Sequence, residues 1–467
     1  MKRLDNVSRP PRLPVAIQPT MSKPGLFRTN DGRNYFVTFA LISSLFFLWA
    51  LCNGMIDVMD KHFQELLHLN KRQSAWVQFA HYLGYFLMAL PAGWLARRLG
   101  YKGGIIAGLL LVAAGCLWFI PATGIKEFWA FLAGVCVISM GLTFLETVAN
   151  PYTTVLGAPQ YSAVRINIAQ VCNGVGWILG PIIGGIFFYS KDGAQAAQET
   201  LWIPYAWIAG MVLLLCLVFV KANIPDIKSE DVYHLEDPNT TTGKSLWSHS
   251  HFSGAVLAQF LYVACQAGIF GFFIFYIIED TPAIAASMKT SWLLGGESGS
   301  EMRDGLLHIN EKGATKLLAF VGFTLFLLGR FTGAFILNRF AAHRVLGLYA
   351  VINSALMLLI VLKLEWLSAV ALFLSFFFMS IMFPTIFALG IHGLGGKAKV
   401  ASSFIVMAIM GGALMPKLMG WIGDHHGMSV GFIVPCVCFL FVAAYGFLWT
   451  RLSGSKGIVG VDASKGH

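Results

Sequence analysis

Charge is scarce in this chain. Only 12% of its 467 residues are Asp, Glu, Lys or Arg, against about 25% in soluble domains. That excludes an ordinary water-soluble globular protein. Loop cysteines are missing as well. Cys52, Cys116, Cys136, Cys172, Cys216, Cys265, Cys436 and Cys438 all fall inside apolar runs, which excludes a disulfide framework, and no CxxC pair offers a metal site. The sequence has no P-loop, no Gly-rich phosphate cradle and no nucleic-acid arm. It also has no cluster of acids or histidines beside a donor-binding domain, which argues against a membrane-embedded transferase. The short tails argue against a ligand-gated sensor. Neither a cofactor nor a metal is expected, and "DHH" at Asp424 to His426 reads as an outer-loop turn.

Apolar residues are abundant: 57% of the chain is hydrophobic and the mean hydropathy is +0.68. A membrane span needs about 20 mainly apolar residues. Twelve such runs are expected near 34–59, 73–96, 103–122, 127–150, 163–189, 201–221, 251–279, 314–338, 343–363, 367–392, 399–421 and 429–450. The chain therefore reads as an all-α polytopic membrane protein. The polar stretch "KANIPDIKSEDVYHLEDPNTTTGKSLWSHS" divides the runs six and six. The units expected are an N-terminal tail 1–33, a six-helix bundle 34–221, a linker 222–250, a second bundle 251–450 and a C-terminal tail 451–467.

The net charge of +10 is concentrated rather than spread. Lys2, Arg3, Arg9, Arg12, Lys23, Arg28 and Arg33 lie in the first tail, which lacks the apolar core of a cleaved signal peptide. Arg97, Arg98, Lys102, Arg339, Arg344, Lys397 and Lys399 follow alternate spans, and Lys61, Lys71 and Arg72 oppose them. The positive-inside tendency puts both termini and the linker in the cytoplasm. The long segment 280–315 then faces outward.

The halves repeat weakly. "GWLARRLGYKGGII" from Gly93 parallels "GAFILNRFAAHRVL" from Gly333, "PYTTVLG" from Pro151 parallels "PTIFALG" from Pro384, and Pro181 parallels Pro416. The offsets are 240, 233 and 235 residues, so an internal duplication is expected. Matched prolines are expected to bend or break helices where neighbouring groups can satisfy the freed carbonyls.

The first of these strings resembles the loop 2–3 signature of the major facilitator superfamily through Gly93, Leu95, Arg98, Gly100 and Lys102. It departs at Arg97, where the signature usually has Asp. A closer resemblance, to the bacterial L-fucose:proton symporter family, is carried by "FFLWALCNGMIDV", "LETVANPYTTVLG", "RINIAQVCN", "VLAQFLYVACQ", "FMSIMFPTIFALGI" and "SSFIVMAIMGG". The resemblance implies a major facilitator fold with 12 transmembrane helices in two six-helix pseudo-repeats, moving sugar and proton together. It puts the family's proton and sugar carboxylates on Asp57 and Glu146 and its sugar-contacting Gln on Gln170. A gating role falls on Gly93, Arg98, Gly100, Lys102 and, in the second half, Arg339.

The residues themselves give a compatible picture. Carboxylates and amides inside spans are costly and face a cavity or a partner. Glu146 and Asn150, like Asn53 and Asp57, stand four apart and share a helix face. Asn167, Gln170 and Asn173 step along span 5, Gln259, Tyr262 and Gln266 along span 7, and Gln78, Tyr82 and Tyr85 along span 2. Amides donate and accept together, as sugar hydroxyls do. A desolvated carboxylate can take a proton on one side and release it on the other.

Competing readings are structural. Glu146 could pair with Arg165, Asp57 could snorkel outward, and the amides could bridge helices. Arg330 and Lys417 read as helix-end anchors, and His81 as a packed histidine or a proton relay. The function expected is proton-coupled import of a neutral monosaccharide, with the sugar, the proton and membrane lipid as partners, in a monomer of the bacterial inner membrane. Sodium-coupled or uncoupled sugar carriage, or export of another small molecule, are the alternatives.

Overall fold

The computed structural model describes residues 25–28, 33–66, 71–125, 127–158, 161–188, 202–225, 245–291 and 299–454. The first half comprises α1 (Phe36–Leu66), α2 (Lys71–Ile125), α3 (Phe128–Val155), α4 (Ser162–Phe188) and α5 (Trp202–Lys221). The second half begins with α6 (Ser250–Glu279). A hairpin of β1 (Ser300–Arg303) and β2 (Leu306–Ile309) follows, and then α7 (Glu311–Leu317), which runs through a π-turn at Leu318–Gly322 into α8 (Phe323–Arg339). It continues with α9 (Ala342–Val361), α10 (Glu365–Met379), α11 (Met382–Ile391), α12 (Ala398–Met407), α13 (Gly411–His426), α14 (Met428–Gly431) and α15 (Ile433–Ser453).

Among the described residues, ten helical stretches are long and apolar enough to cross a membrane. One of them, Phe79–Ile125, is 47 residues long, about twice what one crossing needs. It combines two expected spans that turn at Gly100, whose φ of 72° and ψ of −177° are not helical. A side chain there would meet the steric penalty of positive φ that glycine avoids. α4, 27 residues long, supplies the expected fifth span.

The outer surface is apolar because lipid, not water, covers it. Trp129, Trp207, Leu214 and Phe335 are all more than half exposed, and the helices satisfy their own backbone groups. Inside, small residues let helices touch. A Cβ on Gly141 would lie 2.5 Å from the Val112 nitrogen, and one on Gly115 would lie 2.6 Å from the Ile138 nitrogen, which locks α2 against α3.

The tenth span is broken between α10 and α11, just before Pro384, as the matched prolines led one to expect. Three features differ from the sequence expectation. α3 continues as a helix through Pro151. "DHH" closes the last turn of α13 instead of forming a loop, with His425 Nδ1 2.8 Å from the Trp421 carbonyl oxygen. In the stretch read as a tail, Gly25–Arg28 are docked: Phe27 packs on Phe36 and Phe39, and the Leu26 carbonyl accepts from Arg165 at 3.1 Å.

Candidate solute and proton site

Pro151 explains why α3 carries polar chemistry here. Proline has no N–H to give the carbonyl four residues earlier, so the Thr147 oxygen is released from the helix. The hydroxyl of Ser402 of α12, in the opposite half, lies 3.0 Å from it and is shared with the Lys399 carbonyl at 2.8 Å. Pro384 does the same to Ser380, whose carbonyl accepts from Arg330 Nε at 3.2 Å. Both matched prolines thus create acceptors inside the protein.

One turn before Pro151, Glu146 is 5% exposed and faces a cavity lined by Leu45, Phe46 and Trp49 of α1, Leu145 and Ala149 of α3, and Gln170 of α4. The cavity has room for about one water molecule. Trp49, Tyr85 and Asn150 surround the carboxyl, and Trp49 Nε1 donates to the Tyr85 hydroxyl at 2.5 Å. Glu146 makes no ion pair among the described residues. Arg165, the expected competitor, is turned to main-chain oxygens of Thr153 (2.9 Å), Ala158 (2.8 Å) and Thr154 at the end of α3.

Among the described residues, the buried polar atoms with no hydrogen-bond partner include Glu146 Oε2, Thr147 Oγ1, Asn167 Oδ1 and both amide atoms of Asn150 and Gln259, and also both amide atoms of Asn353 in α9. Leaving a buried donor or acceptor unpaired costs about 1–3 kcal/mol each. Glu146, Thr147 and Asn150 stand together on α3.

Other expected residues are already engaged. Asn53 donates to the Trp49 carbonyl at 2.9 Å. Asn173 donates to the Phe46 carbonyl at 3.4 Å and accepts from Arg330. The Tyr262 hydroxyl donates to the Met379 carbonyl at 2.9 Å. Gln266 is half-buried, and Tyr82 packs edge-on to His81. The side chains of Asp57 and Gln78 lie outside the described residues. His81 is held at 2.7 Å by the Ser139 hydroxyl.

Arg330 overturns its reading as a helix-end anchor, being 4% exposed in mid-helix. Trp49 and Phe46 were also missed as cavity walls. Trp49 stands four residues before Asn53, the same spacing that exposed the other polar pairs.

The two halves meet at a second set of contacts. The ideal Cβ of Gly93 would fall 2.9 Å from the Lys399 carbonyl and 1.7 Å from Ser403 Oγ. Lys399 Nζ lies 4.2 Å over the Tyr101 ring, which stacks on Tyr152 at 4.3 Å. Lys102 caps α5 through the Val220 and Ala222 carbonyls, and Arg98 lies over Trp94 at 4.1 Å. Arg339 is exposed.

A helical membrane bundle in two halves, with a buried carboxylate on an internal cavity, is a multi-pass membrane transporter. The chain belongs to the Major Facilitator Superfamily, whose family model matches residues 35–405. It is 34% identical over 429 residues to the L-fucose-proton symporter of Escherichia coli strain K12, covering 88% of this chain and 92% of that one. It is 29% identical over 426 residues to a glucose/galactose transporter of Brucella abortus, covering 91% and 96%. A crystal structure of the transporter FucP in the outward conformation matches with a TM-score of 0.74 at 33% identity, over 89% of this chain and 99% of that one. A proton:xylose symporter at 13% identity and a TM-score of 0.66 shares the fold.

Proposed function

We propose that this protein is a secondary active transporter that imports a neutral monosaccharide together with a proton by alternating access. The observation that carries the reading is the buried Glu146, which faces a cavity lined by Gln170, Phe46 and Trp49 and has Asn150 one turn along α3. Amides that both donate and accept suit sugar hydroxyls, and the aromatic walls Phe46 and Trp49 suit the apolar face of a pyranose. Symport of fucose and transport of glucose and galactose by the two relatives support the same class of solute.

In this reading Asp57 and Glu146 carry the proton. Asn53, Gln78, Tyr82, Glu146, Asn150, Gln170, Asn173, Gln259, Tyr262 and Gln266 serve the sugar as the site opens. Gly93, Arg98, Gly100, Lys102 and Arg339 belong to the gate. The bundles 34–221 and 251–450 rock about the site, with the linker and both tails in the cytoplasm of a bacterial cell and the spans in its inner membrane. A monomer suffices, since both halves of the site come from one chain.

The test uses purified protein in liposomes with a pH-sensitive dye inside and a panel of monosaccharides outside. Internal acidification with one sugar, lost in Asp57→Asn and Glu146→Gln, supports symport and names the substrate. Counterflow of labelled sugar without acidification favours a sodium-coupled or uncoupled carrier. Silence in both assays overturns sugar transport.

A further inference from the structure

Arg330 stands in the middle of α8, 4% exposed, and among the described residues no carboxylate meets it. The ion pairs among the described residues are Arg303–Glu301 and Lys363–Asp280. Instead Nε donates to the Ser380 carbonyl freed by Pro384, and Nη1 donates to the Gln170 carbonyl at 2.8 Å and to Asn173 Oδ1. The Phe326 ring lies 4.5 Å from the guanidinium carbon. Two of these three oxygens belong to α4, in the opposite half.

The same helix pair continues the contact. A Cβ on Gly174 would lie 2.7 Å from Leu327, and Trp177 stacks on Phe323 at 6.2 Å with 17° between the rings. Asn173 is held at both ends, by Arg330 and by the Phe46 carbonyl. Gln170, one turn away, lines the Glu146 cavity.

We infer that Arg330 is a positioning residue that closes the empty carrier. It clasps α4 and occupies Asn173 when no solute bridges the halves, and it releases both when they part along α4 and α8. A buried cation needs compensation. Carbonyl and amide dipoles supply it in the closed state, and water supplies it in the open one. A carboxylate partner would hold the closed state far more firmly, so dipoles alone leave the clasp reversible. Net uptake requires the empty carrier to close and return, whereas exchange of internal for external sugar cycles only the loaded carrier. The clasp therefore serves the return leg.

This inference rests on the transport reading, and the experiment separates the two. Wild type, Arg330→Lys and Arg330→Gln are reconstituted with L-fucose, D-glucose or D-galactose, whichever wild type exchanges. Counterflow and proton-driven net uptake are measured side by side. Losing hydrogen bonds from a charged group should slow net uptake in Arg330→Gln by about tenfold or more. Counterflow should stay near the wild-type rate. Arg330→Lys, which keeps the charge but not the fork, should fall between, and it decides the matter alone if the Gln variant does not fold. A parallel fall in both assays, or no change in either, overturns the role of Arg330. A wild type that exchanges none of the sugars defeats the transport reading instead.

Discussion

Gly93→Ala should spring the contact between α2 and α12 without unfolding either half. The new methyl would sit 2.9 Å from the Lys399 carbonyl and 3.0 Å from Ser403 Cβ, besides overlapping Ser403 Oγ. The hydroxyl can rotate away, but the backbone carbonyl cannot. Overpacking of this kind costs about 1–3 kcal/mol, and here the cost falls only on the state in which the halves touch. An equilibrium biased by that amount moves about 5–150-fold. Ser402 is fully buried beside Gly93's partner Ser403 and its hydroxyl reaches the Thr147 oxygen across the same contact, so Ser402→Cys reports on it. The assay is the labelling rate of that cysteine by a membrane-impermeant maleimide, in a background whose native cysteines are replaced. Gly93→Ala should raise the rate at least about fivefold. Gly104→Ala is the control, because its methyl would press on Val148 within one half, at 3.0 Å. Unchanged labelling in well-folded Gly93→Ala, or the same increase in Gly104→Ala, would refute the reasoning.

Three further outcomes are expected. Tyr101→Leu removes the ring beneath Lys399, a contact worth about 0.5–2 kcal/mol, and should raise labelling of the same cysteine by a few-fold. Arg165→Ala leaves the buried carbonyls of Thr153, Thr154 and Ala158 without their donor. At about 1–3 kcal/mol for each unpaired group it should lower the thermal unfolding midpoint in detergent clearly, and an unchanged midpoint would contradict the capping role. Tyr262→Phe removes one hydrogen bond to Met379, worth about 1 kcal/mol. Sugar affinity, read by counterflow, should change by less than about threefold if the hydroxyl bridges helices, and by tenfold or more if it holds the sugar.

The spans were readable because lipid demands long apolar runs, and the Glu146–Asn150 face was readable because helical spacing is local. Gly100 could be found through the loop signature, yet nothing local says that α2 continues on both sides of it. The partners of Arg330 could not be read at all. Two of the three come from α4, 157 and 160 residues away in sequence, and only the packing of the two halves brings them together. The same packing engages Asn173, which spacing alone had offered to the solute. The place of Arg165, a competing partner for Glu146 on sequence grounds, could not be read for a similar reason, since its oxygens appear only where α3 ends and the chain turns back into α4.

The duplicated prolines inherit one gap and fill it differently. In the second half, the Ser380 oxygen is served by Arg330 from its own bundle, so rocking leaves that bond intact. In the first half, the Thr147 oxygen borrows Ser402 from across the divide and must surrender it each time that divide opens. Water has to take the place of the serine hydroxyl, one residue along from Glu146. Opening this side of the protein and wetting the carboxylate's helix are therefore a single event.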